Sequence, residues 1–222
     1  LRLLVATTNH GKVKEFRRVL ALTPSPSTLG EGSSPHPSSL VSRLFSEITD
    51  LTAFAPIPAV EETGSTFLAN ACLKATYYAR AFNSWTLADD SGLAVDALNG
   101  KPGIHSARWS EMNGRPKGDI HNNQLLLEQL KTVCDADRGA QFVCALALSD
   151  PQGRIILTVT DQVEGRILFA PAGAGGFGYD PLFFLDSHGK TTAELPPAEK
   201  DALSHRGKAA RTMLALIQKN LA

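Results

Sequence analysis

Hydrophobic and polar positions recur along this chain with two periods, and each period marks an element. Leu1 to Ala6 form a short apolar run that ends at Thr7. Val13, Phe16, Val19 and Leu20 then recur at helical spacing with charges between them, so the chain opens strand, polar turn, helix. A second helical stretch covers residues 65–82, "STFLANACLKATYYARAF", with Ser65 or Thr66 placed to cap it. "WTLADDSGLAVDAL" reads as a strand ending at two adjacent acids, a turn at Ser91-Gly92 and a further extended piece. "NNQLLLEQLKTV" is a short amphipathic helix. The β-rich runs "AQFVCALALSD" and "GRIILTVTDQVEGRI" meet at Pro151-Gln152-Gly153, which predicts an antiparallel hairpin. A last helix covers residues 207–221. Strand–helix units plus a hairpin predict a mixed α/β sheet with flanking helices and no clear linker. Residues 23–39 hold four Pro and six Ser and read as a flexible insertion in one domain spanning 1–222.

Composition narrows the class. A chain of 222 residues suffices for one well-buried domain or two lobes sharing a cleft. Its 22 basic and 22 acidic residues cancel, which argues against broad binding to nucleic acid or an anionic membrane. A local basic pocket remains compatible with that balance. No apolar run approaches the ~18 residues of a membrane span, and the first residues turn polar too soon for a secretory signal. Cys72, Cys134 and Cys144 lack metal-knuckle spacing and sit among apolar neighbours. They read as reduced core thiols of a cytoplasmic protein.

Several segments carry candidate chemistry. Gly173-x-Gly175-x-x-Gly178 has the spacing of a dinucleotide fingerprint. Its context is wrong, because Pro181 disfavours helical geometry at Asp180 and "LFFL" then reads as a strand. The glycines instead predict a close turn presenting Phe177, Tyr179 and Asp180. The turn Thr7-Thr8-Asn9-His10-Gly11-Lys12 offers hydroxyls, an amide, N–H groups and an ammonium, a set suited to phosphate. Asn9 as a plain helix cap with Lys12 in solvent fits equally well. Asp89 and Asp90 are adjacent in an extended segment and point to opposite faces, so at most one projects straight into a given cleft. Such carboxylates suit Mg²⁺. Glu61-Glu62 supplies another, and Asn70 and Lys74 share one helical face. Near the C-terminus, Lys200, His205, Arg206 and Lys208 suit phosphate or planar acceptors. Acids for a divalent cation, cations for phosphates and an aromatic-plus-Asp loop for a base together favour a nucleoside phosphate.

At these residues the chain resembles the inosine/xanthosine triphosphate pyrophosphatases, the HAM1 family. The matching segments are "ATTNHGKVKEF", "EETGSTFLANACLKA", "LADDSGLAVDALNGKPGIHSARW", "GGFGYDPLFF" and "AELPPAEKDALSHRGKA", in the family's order across nearly the whole chain. The resemblance implies an elongated, twisted mixed sheet, two lobes around a central cleft, and usually a homodimer. It implies Mg²⁺-dependent hydrolysis of ITP, dITP and XTP to the monophosphate and pyrophosphate. Carried over by position, Thr7 to Lys12 match the triphosphate segment, Glu62 and Asp90 the metal-linked acids, and Asp90 the base that activates water. Ser91 matches a substrate contact, while Lys74 and Lys200 match phosphate-facing lysines. Phe177, Gly178, Tyr179 and Asp180 match the base-binding loop, and His205-Arg206 the pair that reads the purine's 6-keto edge. Ala69 departs from the pattern, since bacterial relatives often carry Glu there. Two alternatives stay open: a Maf-like pyrophosphatase acting on pyrimidine or modified nucleotides, and a nucleotide-binding sensor without catalysis.

Overall fold

Leu3, Leu4 and Val5 are all buried, which makes β1 (Arg2–Val5) an interior strand of the kind found in parallel sheets. It pairs in parallel with β2 (Glu47–Asp50) on one side and β3 (Trp85–Val95) on the other, with Leu3 opposite Ile48 and Trp85. The structure is a computed structural model that describes residues 1–20 and 44–221, so the insertion expected over 23–39 lies outside the described residues. The sheet continues with β4 (Gly139–Ser149), β5 (Ile155–Ile167), β6 (Phe183–Leu185) and β7 (Lys190–Thr191). Strand order is β2-β1-β3-β4-β5-β6-β7, and β6 runs antiparallel to both β5 and β7. The sheet is therefore mixed, as the pattern predicts.

Among the described residues the α-helices are α1 (His10–Leu20), α2 (Phe67–Phe82), α3 (Trp109–Met112), α4 (Asp119–Gln129), α5 (Pro197–Leu203) and α6 (His205–Leu221). Thr66 caps α2 by accepting the Ala69 N–H at 3.1 Å, and Asn83 closes it in the left-handed region. Ser65 takes no such part in the cap. α5 escapes a reading based on apolar spacing because it is one short piece that starts with Pro197.

Two expectations fail. β3 does not turn at Ser91-Gly92 but runs unbroken to Val95, so Asp89 and Asp90 stand in mid-strand. The glycine serves close packing rather than a turn. A Cβ on Gly92 would collide with the Ser106 hydroxyl and the Gly103 carbonyl, and that hydroxyl accepts the Leu93 N–H at 2.8 Å. The cysteines are not all core residues either: only Cys144 is buried, Cys72 is half-buried and Cys134 is exposed.

The chain divides into two units. One contains residues 1–89, 145–160 and 209–222; the other contains 90–144 and 161–208. In the first unit, Ala71, Ala75 and Tyr78 of α2 pack on Leu4, Ala88, Ala145 and Ala147 of the strands. Small side chains on both faces let helix and sheet approach closely. The second unit has a bulkier core, in which Leu93, Leu126, Phe142, Tyr179 and Phe183 meet. Each such large side chain contributes about 1.5–3 kcal/mol by leaving water. Arg138, 1% exposed, ties this unit's backbone together by donating to the carbonyls of Leu130, Ile167 and Leu168 at 2.7–2.9 Å. Burial pushes its guanidinium pKa down. Among the described residues no helix is long and apolar enough to cross a membrane.

Candidate active site

In the first unit the chain leaves β1 and tightens at once. The Asn9 N–H donates to the Thr7 hydroxyl, and Asn9 Oδ1 accepts the Lys12 N–H, each at 3.1 Å. Asn9 is thus the cap of α1, while Thr8, Asn9 and His10 stay exposed around the helix start. Exposed N–H groups at a helix start attract anions. Lys12 Nζ reaches Asp89 Oδ2 at 2.7 Å, and the Asp89 side chain is almost wholly buried. Strand alternation turns Asp90, also buried, to the opposite face from its neighbour.

The loop before α2 is set by the helix itself. Asn70, 0% exposed, accepts the Gly64 N–H at 2.8 Å, and one turn later Lys74 Nζ reaches Glu62 Oε1 at 3.0 Å. The shared face read from the i, i+4 spacing therefore faces one loop. It brings a candidate phosphate lysine against a candidate metal ligand, a pairing that holds the carboxylate in place while neutralising part of its charge.

In the second unit a loop following β5 carries the aromatic residues. Gly176 has φ +74°, and a Cβ there would strike the Asp180 carboxylate, so only glycine admits this turn. Asp180 Oδ2 accepts the Phe177 N–H at 2.8 Å and Lys200 Nζ at 2.6 Å, and its Oδ1 accepts the Thr192 hydroxyl at 2.8 Å. Lys200 Nζ also lies 4.8 Å from the centroid of the half-buried Phe177 ring, and Arg206 Cζ lies 5.5 Å from it. Arg206 donates to the Ser91 hydroxyl at 2.8 Å, and His205 stacks on Phe142 with centroids 4.7 Å apart.

Three of the expected residues are engaged within the protein. Lys200, expected to face phosphate, is 7% exposed and committed to Asp180 beside Phe177. Asp180, expected to hold the base, has both oxygens engaged in fixing its own loop. Tyr179 turns away as well, its hydroxyl donating to the Ser106 carbonyl at 3.0 Å. Phe177, Ser91 and Arg206 are grouped at one place, with Lys200 Nζ also beside the Phe177 ring.

Three residues to which the sequence reading gives no functional role support this loop. Thr192 holds Asp180, while Asp119 and Asn123 of α4 hold Gly178. The i, i+4 spacing of the α4 pair signals a shared helical face, but nothing in the sequence points that face at residue 178.

A strand–turn–helix anion cradle, lysines matched to carboxylates and an aromatic glycine turn flanked by cations have the chemistry of a nucleotide-binding α/β protein. A family model described as the Ham1 family matches residues 3–216, and the chain belongs to that family. The dITP/XTP pyrophosphatase of Streptomyces coelicolor is 43% identical over 220 residues, which covers 99% of this chain and 98% of that protein. That of an Exiguobacterium species is 45% identical over 217 residues, covering 98% and 97%. Among solved structures, a HAM1 protein from Coxiella burnetii is similar with a TM-score of 0.79 at 35% identity, covering 99% of both chains. The Staphylococcus aureus Ham1 protein follows at 0.77 and 34%, with the same coverage.

Proposed function

We propose that this chain hydrolyses dITP, ITP and XTP to the corresponding monophosphate and pyrophosphate, clearing them from the precursor pool. The observation that carries the reading is the base loop, a half-buried Phe177 ring flanked by the Arg206 guanidinium. A 6-keto purine stacked there offers an acceptor to a donor. Adenine's 6-amino group would set donor against donor, a mismatch that sites built on hydrogen bonds reject strongly.

Asp90 is the proposed base. It takes a proton from the attacking water as the water oxygen bonds to the α-phosphorus and the bond to the bridging oxygen breaks. Pyrophosphate leaves with that electron pair. The Thr7–Lys12 turn and Lys74 hold the phosphates and offset the charge that builds on them. Among the described residues no group of three or more His, Cys, Asp or Glu forms a metal centre. Glu62 and Asp90 would each offer the kind of hard carboxylate oxygen that Mg²⁺ takes. When bound, the ion supplies Lewis-acid polarisation of a phosphoryl oxygen. The same reading includes a homodimer and a cytoplasmic location.

One panel tests the assignment: pyrophosphate release with Mg²⁺ from ITP, XTP, dITP, ATP, GTP, dTTP and UTP. Turnover confined to the first three supports it, whereas turnover of dTTP or UTP would favour the Maf-like alternative. Asp90→Asn in the same assay is expected to lower kcat by at least about 100-fold with the fold intact. Wild-type turnover in that variant would remove Asp90 from the base role.

A further inference from the structure

Gly178 lies directly between Phe177 and Tyr179 with φ +63°, a conformation that glycine adopts freely. Both polar groups of this residue are taken up by one helix face. Its N–H donates to Asp119 Oδ2 at 2.6 Å, and its carbonyl accepts Asn123 Nδ2 at 3.0 Å. Asp119 and Asn123 stand four apart in the first turns of α4, so both project along the same line. The helix is itself anchored: Asn122 Oδ1 accepts the Ser110 N–H at 2.8 Å, Asn122 Nδ2 donates to the Ala107 carbonyl at 3.4 Å, and Leu125 and Leu126 are buried. On the other side of Phe177, the Asp180 carboxylate fixes the Phe177 N–H.

We propose that Asp119 and Asn123 are positioning residues for purine recognition: they clamp Gly178 to α4 and so hold the Phe177 ring at the angle a stacked base requires. The proposal rests on the base-loop reading of Phe177. Neither residue touches the substrate. Their effect passes through a single glycine, whose freedom would otherwise let the ring swing and lower the fraction of protein ready to bind. Phosphate chemistry is not altered, so the loss falls on KM rather than kcat.

The test uses the full chain and the variants Asp119→Ala, Asp119→Asn, Asn123→Ala and, as a control on the same helix, Glu128→Ala. The last breaks only the exposed pair that Arg115 makes with Glu128. Asp119→Ala and Asn123→Ala are expected to raise KM for ITP about tenfold, the scale of one lost hydrogen bond, with kcat within about twofold of wild type. Asp119→Asn keeps an acceptor for the Gly178 N–H and is expected to recover most of the affinity. Hydrogen exchange in a peptide covering residues 173–181 provides a readout independent of turnover. It should accelerate in both alanine variants and remain at the wild-type rate in Glu128→Ala. Unchanged exchange in the alanine variants overturns the clamp even if their activity falls. Faster exchange with an unchanged KM overturns its role in recognition. A wild-type protein without ITP turnover would instead defeat the functional reading, and the exchange result would still decide whether the clamp exists.

Discussion

Tyr179 sits inside the base loop but faces the protein. Its side chain is 3% exposed, and burial first, with the Asp119 carboxylate second, raises the phenol's pKa well above its ordinary 10.0. In the unfolded chain the phenol ionises near that ordinary value, whereas the folded chain keeps the proton. This contribution to stability is therefore complete below about pH 10 and is lost as pH rises from there toward the folded pKa. The melting temperature of wild type should fall more steeply above about pH 10 than that of Tyr179→Phe. The variant should begin lower, because the hydrogen bond to Ser106 contributes about 1 kcal/mol. Thermal melts between about pH 8 and pH 11 check this, and parallel slopes would show that Tyr179 ionises at no cost. The same loop shows where residue-level reading stops. Phe177 and Asp180 were both conspicuous beside the glycines, but Asp180 is occupied by Thr192 and Lys200, 12 and 20 positions away. A motif reveals which residues are special, while their partners across the fold decide what each one does.

At the level of elements, α2 connects the local sequence to the acids. Its cap at Thr66 and its Asn70–Lys74 stripe follow from spacing and appear as read, whereas the face it buries is Ala71, Ala75, Tyr78 and Ala79, and Leu68 stays exposed. Asn70→Ala would strand the Gly64 N–H and loosen the loop that carries Glu62. The expected cost is about 1–3 kcal/mol of stability, together with a higher Mg²⁺ concentration for half-maximal turnover. Asn70→Asp retains the acceptor and should recover part of both. A melt paired with a Mg²⁺ titration measures them; an unchanged titration in a destabilised Asn70→Ala protein would detach this loop from the metal. Other elements were less legible for identifiable reasons. α4 starts at Asp119 rather than Asn122 because its first turn has no apolar face, and Ile120 is 71% exposed. The sequence pattern divides β3 at Gly92 because a glycine needed for close approach has the same letter as one needed for a turn. β2 and β7 are edge strands of 4 and 2 residues, too short for a period to declare itself.

Across the whole molecule the charges cancel, with 22 basic against 22 acidic residues and a pI near 7.2. A triphosphate therefore meets no net charge of opposite sign. In the proposed reading the phosphates depend on local features such as the exposed start of α1. Interactions of that kind act over a few ångströms and are only partly screened, since the Debye length at about 0.1 M salt is about 10 Å. Proteins that bind nucleic acid through many phosphate contacts lose about 10³–10⁵ in affinity between about 50 and 200 mM salt. Over the same range kcat/KM for ITP is expected to fall by less than about tenfold. Duplex DNA in large excess should leave KM for ITP unchanged, because a polyanion gains strength only by engaging many cations along a stripe. A salt series with and without DNA in the pyrophosphate-release assay tests both statements. Competition by DNA that disappears with salt would reveal an extended basic surface, and the balance of charges would then conceal two opposed faces rather than an even mixture.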